Sequence, residues 1–102
     1  MEEAMEALLV DRFRYAGLAE ACRCLEEGVA SARDIDLAML AGAGYKEGPL
    51  AWADGVGLDV ALERMNALEE SHGEAFRVPQ VLRDLVSRSS LGRKTGRGFF
   101  EY

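Results

Sequence analysis

The stretch from Gly42 to Asp59 constrains the fold more than any other part of the chain. Gly42, Gly44, Gly48, Gly55 and Gly57 punctuate it, Pro49 interrupts it, and it holds Trp52, the single tryptophan. No continuous helix or strand runs through such a segment. Either its glycines cradle a phosphate or they turn one helix into the next. Gly42-x-Gly44-x-x-x-Gly48 has the look of a dinucleotide-binding loop. That loop needs a strand before it, a helix opening on the glycines and an acid about 20 residues later within a βαβ unit. Here the preceding apolar run, Ile35 to Ala41, reads as a helix. Ser31-Ala32-Arg33-Asp34 has the form of a capping box at its start, and no second candidate strand exists to pair with it. The glycines therefore predict a corner between helices. Pro49 restarts the chain at the first position of the next helix, and Trp52 is expected to anchor that helix inside.

The remaining segments are helical by spacing. Residues 2–28 form the first helix, with Tyr15, Leu18, Cys22, Leu25 and Val29 recurring at alternating three and four positions and Gly28 as a stop. Extended backwards, the same stripe passes through Leu8 and reaches Asp11, seven residues before Leu18. A carboxylate on a buried face needs a partner or a purpose: an arginine from another segment, a position open to solvent, or a ligand. After Pro49 come Leu50, Trp52, Ala53 and Val56. A fresh start at Leu58-Asp59 runs to about His72-Gly73 with Leu58, Ala61, Leu62, Met65 and Leu68 inward. A loop from Glu74 to Val78 leads to Pro79 at the head of a last helix, with Val81, Leu82, Leu85 and Val86 inward. The tail, Leu91 to Tyr102, contains Gly92, Gly96 and Gly98 and is not helical, yet it ends in Phe99, Phe100 and Tyr102. Aromatics that each bury on the order of 150–250 Å² are seldom left in water, so the tail is expected to fold back onto the helices.

The chain has 102 residues, enough for one domain with one core. Its apolar runs all fall short of the roughly 20 residues that cross a bilayer. Its start, Met1-Glu2-Glu3-Ala4-Met5-Glu6, is acidic, unlike a signal or transit peptide, so a cytoplasmic location is expected. Charge is unevenly spread: residues 1–76 carry sixteen acids against six bases, and residues 77–102 six bases against two acids. The acidic total argues against nucleic acid as a partner. The basic end suits an anionic ligand or an acidic surface of this chain or a partner. Cys22 and Cys24 lie about 200° apart on a helix and cannot pair or share a metal ion. Cys22 reads as a small core residue.

Catalytic groupings are hard to assemble from these residues. His72, the single histidine, sits near a helix C-terminus, where a partly charged imidazole is favoured. It has neither a paired serine and acid nor co-ligands at metal-binding spacing. Gly92-Arg93-Lys94-Thr95 has the Lys-Thr of a P-loop, without the upstream glycine or the preceding strand. No catalytic residue and no metal site is expected in this chain.

Several runs together carry a resemblance: Leu25-Glu26-Glu27-Gly28-Val29-Ala30, Asp34-Ile35-Asp36, Gly42-x-Gly44-Tyr45-x-x-Gly48-Pro49-Leu50, Trp52-Ala53-Asp54, Gly57-Leu58-Asp59 and the tail from Gly92 to Tyr102. In this order they are similar to the C-terminal helical domain of NAD-dependent 3-hydroxyacyl-CoA dehydrogenases, including the 3-hydroxybutyryl-CoA enzymes. The resemblance implies one all-α domain over residues 1–102, of about five helices closed by the aromatic tail. It implies a homodimer interface and a surface that closes over acyl-CoA. In that family a separate N-terminal Rossmann domain binds NAD and supplies a catalytic His-Glu pair, so NAD is expected only through such a domain. The family's Asn-Arg pair, whose Asn lies beside the reacting substrate, falls on Asp11 and Arg12. Here it is Asp, which cannot donate the amide's hydrogen bond and would repel an enolate-like oxygen. In multifunctional members the helical unit occurs twice and one copy serves the active site.

Three readings follow. The first is a dimerisation and substrate-closure domain of fatty acid metabolism, inactive without a Rossmann partner. The second is a stand-alone acyl-CoA-binding module whose Arg93 and Lys94 hold the CoA phosphates. The third is a purely structural homodimer.

Overall fold

A computed structural model describes residues 1–102. Five α-helices follow one another: α1 Glu3–Glu26, α2 Ala32–Gly42, α3 Pro49–Val56, α4 Leu58–His72 and α5 Gln80–Ser87. Short 3-10 turns cover Glu74–Phe76 and Arg93–Thr95. The only β contacts are isolated bridges within the tail, Gly92 to Arg97 and Arg97 to Glu101. The all-α fold expected from the sequence is therefore observed.

The core joins Tyr15, Leu18 and Cys22 of α1 to Leu50 and Ala53 of α3, to Leu58, Ala61 and Met65 of α4, and to Leu82 of α5. Phe76, from the 3-10 turn before α5, completes it. The α1 stripe holds only for its middle. Val29 is 68% exposed and Leu8 52%, because α1 ends at Glu26 and its opening turns extend past the other helices. The segment from Glu74 to Val78 is not a plain loop: its 3-10 turn places Phe76 and Val78 in the core. Trp52 is half-buried rather than inside, meeting Tyr15 edge-on at 5.2 Å while the Arg14 guanidinium covers it at 5.2 Å.

Three helix starts, those of α2, α3 and α5, are held by side chains that answer their free amides. Ser31 accepts from the Asp34 amide at 3.2 Å, the expected half of the capping box. Helix α3 opens at Gly48-Pro49, where no local side chain can cap it. Asp36 of α2 does so from a distance, accepting from the Leu50 and Ala51 amides at 2.9 Å each. Glu26, the last residue of α1, likewise accepts from the Val81 amide in the first turn of α5 at 2.8 Å. Helix order and helix capping are thus the same set of bonds.

Candidate functional site

Two features stand out: a pair of buried carboxylates that lock the corner and the tail, and the clefts that surround the free end of α1.

Asp36 and Asp54 are the buried carboxylates. Asp54 lies on the face of α3 that carries Leu50 and Ala53, so its burial follows from helical spacing. It accepts from the Phe99 amide at 2.9 Å, the Phe100 amide at 3.1 Å and the Tyr102 hydroxyl at 2.7 Å. Three charge-assisted bonds offset the cost of burying the charge. The tail folds back as expected, though through Asp54 more than through its rings: Tyr102 remains 49% exposed. Burial and the bond to Asp54 raise the Tyr102 phenol above its ordinary value of 10.0. Burial likewise raises Asp36, and its two backbone bonds only partly counter this.

Both carboxylates require glycine beside them. A methyl group on Gly48 would collide with Asp36, and one on Gly98 with Asp54. At Gly92 it would strike the Asp54 backbone, and φ there is 102°. The tail glycines do not leave this segment irregular. They allow a compact hook in which Gly92 and Arg97 exchange amide bonds at 2.9 and 3.1 Å.

Asp11, expected on a buried face, is about half exposed. Its carboxylate lies 3.4 Å from the guanidinium of Arg64 on α4, which joins two of the alternatives open at the sequence level, an arginine partner and solvent. It lines a cleft of about 180 Å³ with Leu8, Tyr15, Arg64, Ser71 and His72. Burial, then the Asp11 charge, raises the Tyr15 phenol there. A larger cleft, of about 550 Å³, lies beside α1 between Leu9, Val10, Phe13 and Arg14 and the Gly44–Lys46 turn. A third, of about 290 Å³, separates Leu9 and Phe13 from Phe76.

Arg93 and Lys94 lie elsewhere, on the tail's 3-10 turn. The Lys94 ammonium stands 2.6 Å from the Asp59 carboxylate of α4, which holds Asp59 below the ordinary carboxylate range. The basic end thus meets an acidic surface of its own chain. The Arg93 guanidinium covers the Tyr102 ring at 4.7 Å and lines a groove with Arg33, Leu37, Leu40 and Phe100. Asp11 and the basic pair therefore do not converge on one site.

The glycine corner does not form a dinucleotide loop: Gly42 closes α2, Gly44 turns at φ 69°, and Pro49 opens α3. His72 stands at the end of α4, its ring 6.1 Å from that of Phe76. No three His, Cys, Asp or Glu side chains gather as a metal site, and no helix is long and apolar enough to cross a membrane.

Residues 9–102 match the profile of the 3-hydroxyacyl-CoA dehydrogenase C-terminal domain. The chain is 41% identical over 96 residues to the mitochondrial hydroxyacyl-coenzyme A dehydrogenase of Mus musculus, covering 92% of this chain and 31% of that protein. It is 43% identical over 84 residues to a probable 3-hydroxybutyryl-CoA dehydrogenase of Bacillus subtilis, covering 81% of this chain and 29% of the other. The crystal structure of the (S)-3-hydroxybutyryl-CoA dehydrogenase PaaH1 from Ralstonia eutropha superposes with a TM-score of 0.85 at 39% identity, over 90% of this chain and 33% of that one. The fold is that of a helical dehydrogenase domain, and the chain belongs to the 3-hydroxyacyl-CoA dehydrogenase C-terminal domain family. It spans about a third of the length of the curated relatives it matches.

Proposed function

We propose that this chain acts as the dimerisation and substrate-closure domain of a cytoplasmic 3-hydroxyacyl-CoA dehydrogenase. Chemistry would require an NAD-binding Rossmann domain, on the same polypeptide or on another. The observation that carries the proposal is the free end of α1. Residues 1–10 are all exposed, and Met5, Leu8, Leu9, Val10 and Phe13 show apolar side chains to solvent. A monomer seldom leaves so contiguous an apolar surface uncovered. A helical end of this length has little stability of its own in water, so the domain is shaped to be completed by another surface. The cleft that contains Asp11, lined by Leu8, Tyr15 and Arg64, is the surface this reading assigns to substrate closure.

The test mixes the chain with a separate NAD-binding domain of the family and follows NADH formation from a 3-hydroxyacyl-CoA. Turnover is expected only in the mixture. Turnover by the chain alone would sink the proposal. Binding of acyl-CoA to the isolated chain, lost on Arg93→Ala together with Lys94→Ala, would favour the stand-alone binding module instead. With Lys94 tied to Asp59, little or no heat is expected in calorimetry.

A further inference from the structure

Helix α2 is largely apolar from Ile35 to Ala41, yet the one residue it buries is Asp36. Leu37 is 55% exposed and Leu40 40%. With Arg33 they stand at positions i, i+4 and i+7, so the three form one row along about two turns of helix. The tail hook brings Arg93, Phe100 and Tyr102 to the same groove, of about 320 Å³. Single exposed leucines are ordinary on a protein surface. Two in one row, continued by two aromatic rings, form a contiguous apolar strip of the kind that marks a contact surface.

The charge of the groove is one-sided. Arg33 forms no ion pair, and the Arg93 guanidinium rests on the Tyr102 ring. Asp36, the one acid in the lining, already accepts from the Leu50 and Ala51 amides. An apolar strip beside two cations, with no carboxylate free to answer them, is complementary to apolar side chains flanked by acids. Two other occupants fit less well. A second copy facing the groove across a two-fold axis would bring arginines against arginines. An anionic bilayer would meet a chain of net charge −6, which opposes adsorption.

We propose that the groove between α2 and the tail hook docks a short amphipathic helix of a partner protein, with apolar side chains one turn apart and carboxylates flanking them. The apolar side chains lie over Leu37, Leu40 and Phe100, and the carboxylates meet Arg33 and Arg93. Helix on helix is the mode of contact, because the row on α2 offers a ridge for a second helix to pack against. The groove shares no lining residue with the clefts around α1, so the docking does not depend on what covers the α1 end.

The test selects helical peptides, randomised on one face, against the full chain and measures the winners by fluorescence anisotropy. Winners should carry Leu, Phe or Met one turn apart with Asp or Glu beside them. Arg33→Glu and Leu37→Glu should each weaken their binding at least about tenfold. Exchanging the winners' acids for Lys should do the same, and Arg33→Glu should restore binding of the exchanged peptides. Both side chains are exposed, so circular dichroism and thermal melting of the variants should match the wild type. Phe13→Ser, on α1, should have no effect. An absence of winners, winners without acids, or winners indifferent to both groove variants would overturn the proposal. Self-association of the chain that Leu37→Glu abolishes would overturn it in favour of a second copy. Binding to phosphatidylglycerol vesicles that Leu37→Glu abolishes would overturn it in favour of a lipid surface.

Discussion

The carboxylate of Asp54 accepts the hydroxyl of Tyr102 at 2.7 Å, joining the middle of α3 to the last residue of the sequence. Together with the Phe99 and Phe100 amides, this bond makes the tail part of the fold rather than an appendage. Replacing Asp54 by Ala would strand two amides and a phenol beside a small void. A loss of about 2–4 kcal/mol is expected, since each orphaned group costs about 1–3 kcal/mol and the neighbours relax in part. Tyr102→Phe removes one bond at a half-exposed site and should cost about 1 kcal/mol. Urea unfolding of the two variants checks the order, and an Asp54→Ala effect no larger than that of Tyr102→Phe would contradict it.

The same bond has a pH signature. Burial and Asp54 raise the Tyr102 phenol above 10.0, so the unfolded chain loses this proton before the folded chain does. The stabilisation is complete below about pH 10 and fades as pH rises through the higher folded value. Stability should therefore fall on the alkaline side. Tyr102→Phe should flatten the slope without removing it, because Tyr15 is shifted in the same direction. Thermal melts between pH 8 and about 11 read this directly.

The corner glycines separate into two kinds. At Gly48 an added methyl collides with Asp36, which is fixed by its bonds to the α3 amides. Gly42 ends α2 with open space around it and no positive φ. Gly48→Ala should cost about 2 kcal/mol or more by breaking the Asp36 cap. Gly42→Ala should be neutral or stabilising by up to about 1 kcal/mol, through lost freedom of the unfolded chain. Equal effects at the two positions would mean that the corner is held by something other than Asp36.

These carboxylates also show what the sequence did and did not make legible. Apolar spacing, the Ser31 capping box, Pro49 and the glycine stops together located all five helices, since each is a local signal. The same stripe reasoning picked out Asp11, which proves half exposed and paired with Arg64, and passed over Asp54, four residues after Leu50. The difference is tertiary: the Asp11 end of α1 runs beyond the helices that would bury it, whereas α3 lies against α1, α4 and the tail. Asp36 was hidden within the apolar run from Ile35 to Ala41. One question could have found it. Gly48-Pro49 leaves the first amides of α3 without a local acceptor, and such amides need one elsewhere. The clefts around α1 needed three dimensions, because Tyr45 and Phe76 reach them from distant segments.

The cysteines offer a test of packing. Cys22 is fully buried, and burial, reinforced by Glu26, pushes its thiol up to about 12. Cys24 faces away and is partly open. Reaction needs an accessible thiolate, so a disulfide reagent at pH 8 should modify one thiol quickly in the native chain and both in urea. Rapid modification of both under native conditions would show that α1 is looser against α3 and α4 than its packing implies.

Asp11 joins stability to the proposed function. Its pair with Arg64 spans 3.4 Å between side chains that are 45% and 62% exposed, and such surface pairs contribute little. Asp11→Asn should therefore change stability by no more than about 0.5 kcal/mol. Its effect should appear in catalysis with an NAD-binding domain. A carboxylate beside the reacting carbonyl places negative charge where negative charge develops, whereas an amide can donate a hydrogen bond there. If the cleft at Asp11 faces substrate, Asp11→Asn should raise kcat of the mixed system by about tenfold or more, with a smaller change in KM. Arg64→Ala, which removes only the ion-pair partner, should not reproduce the gain. Unchanged or lower turnover in Asp11→Asn would place the reacting carbonyl away from this cleft and leave Asp11 as a surface ion-pair residue.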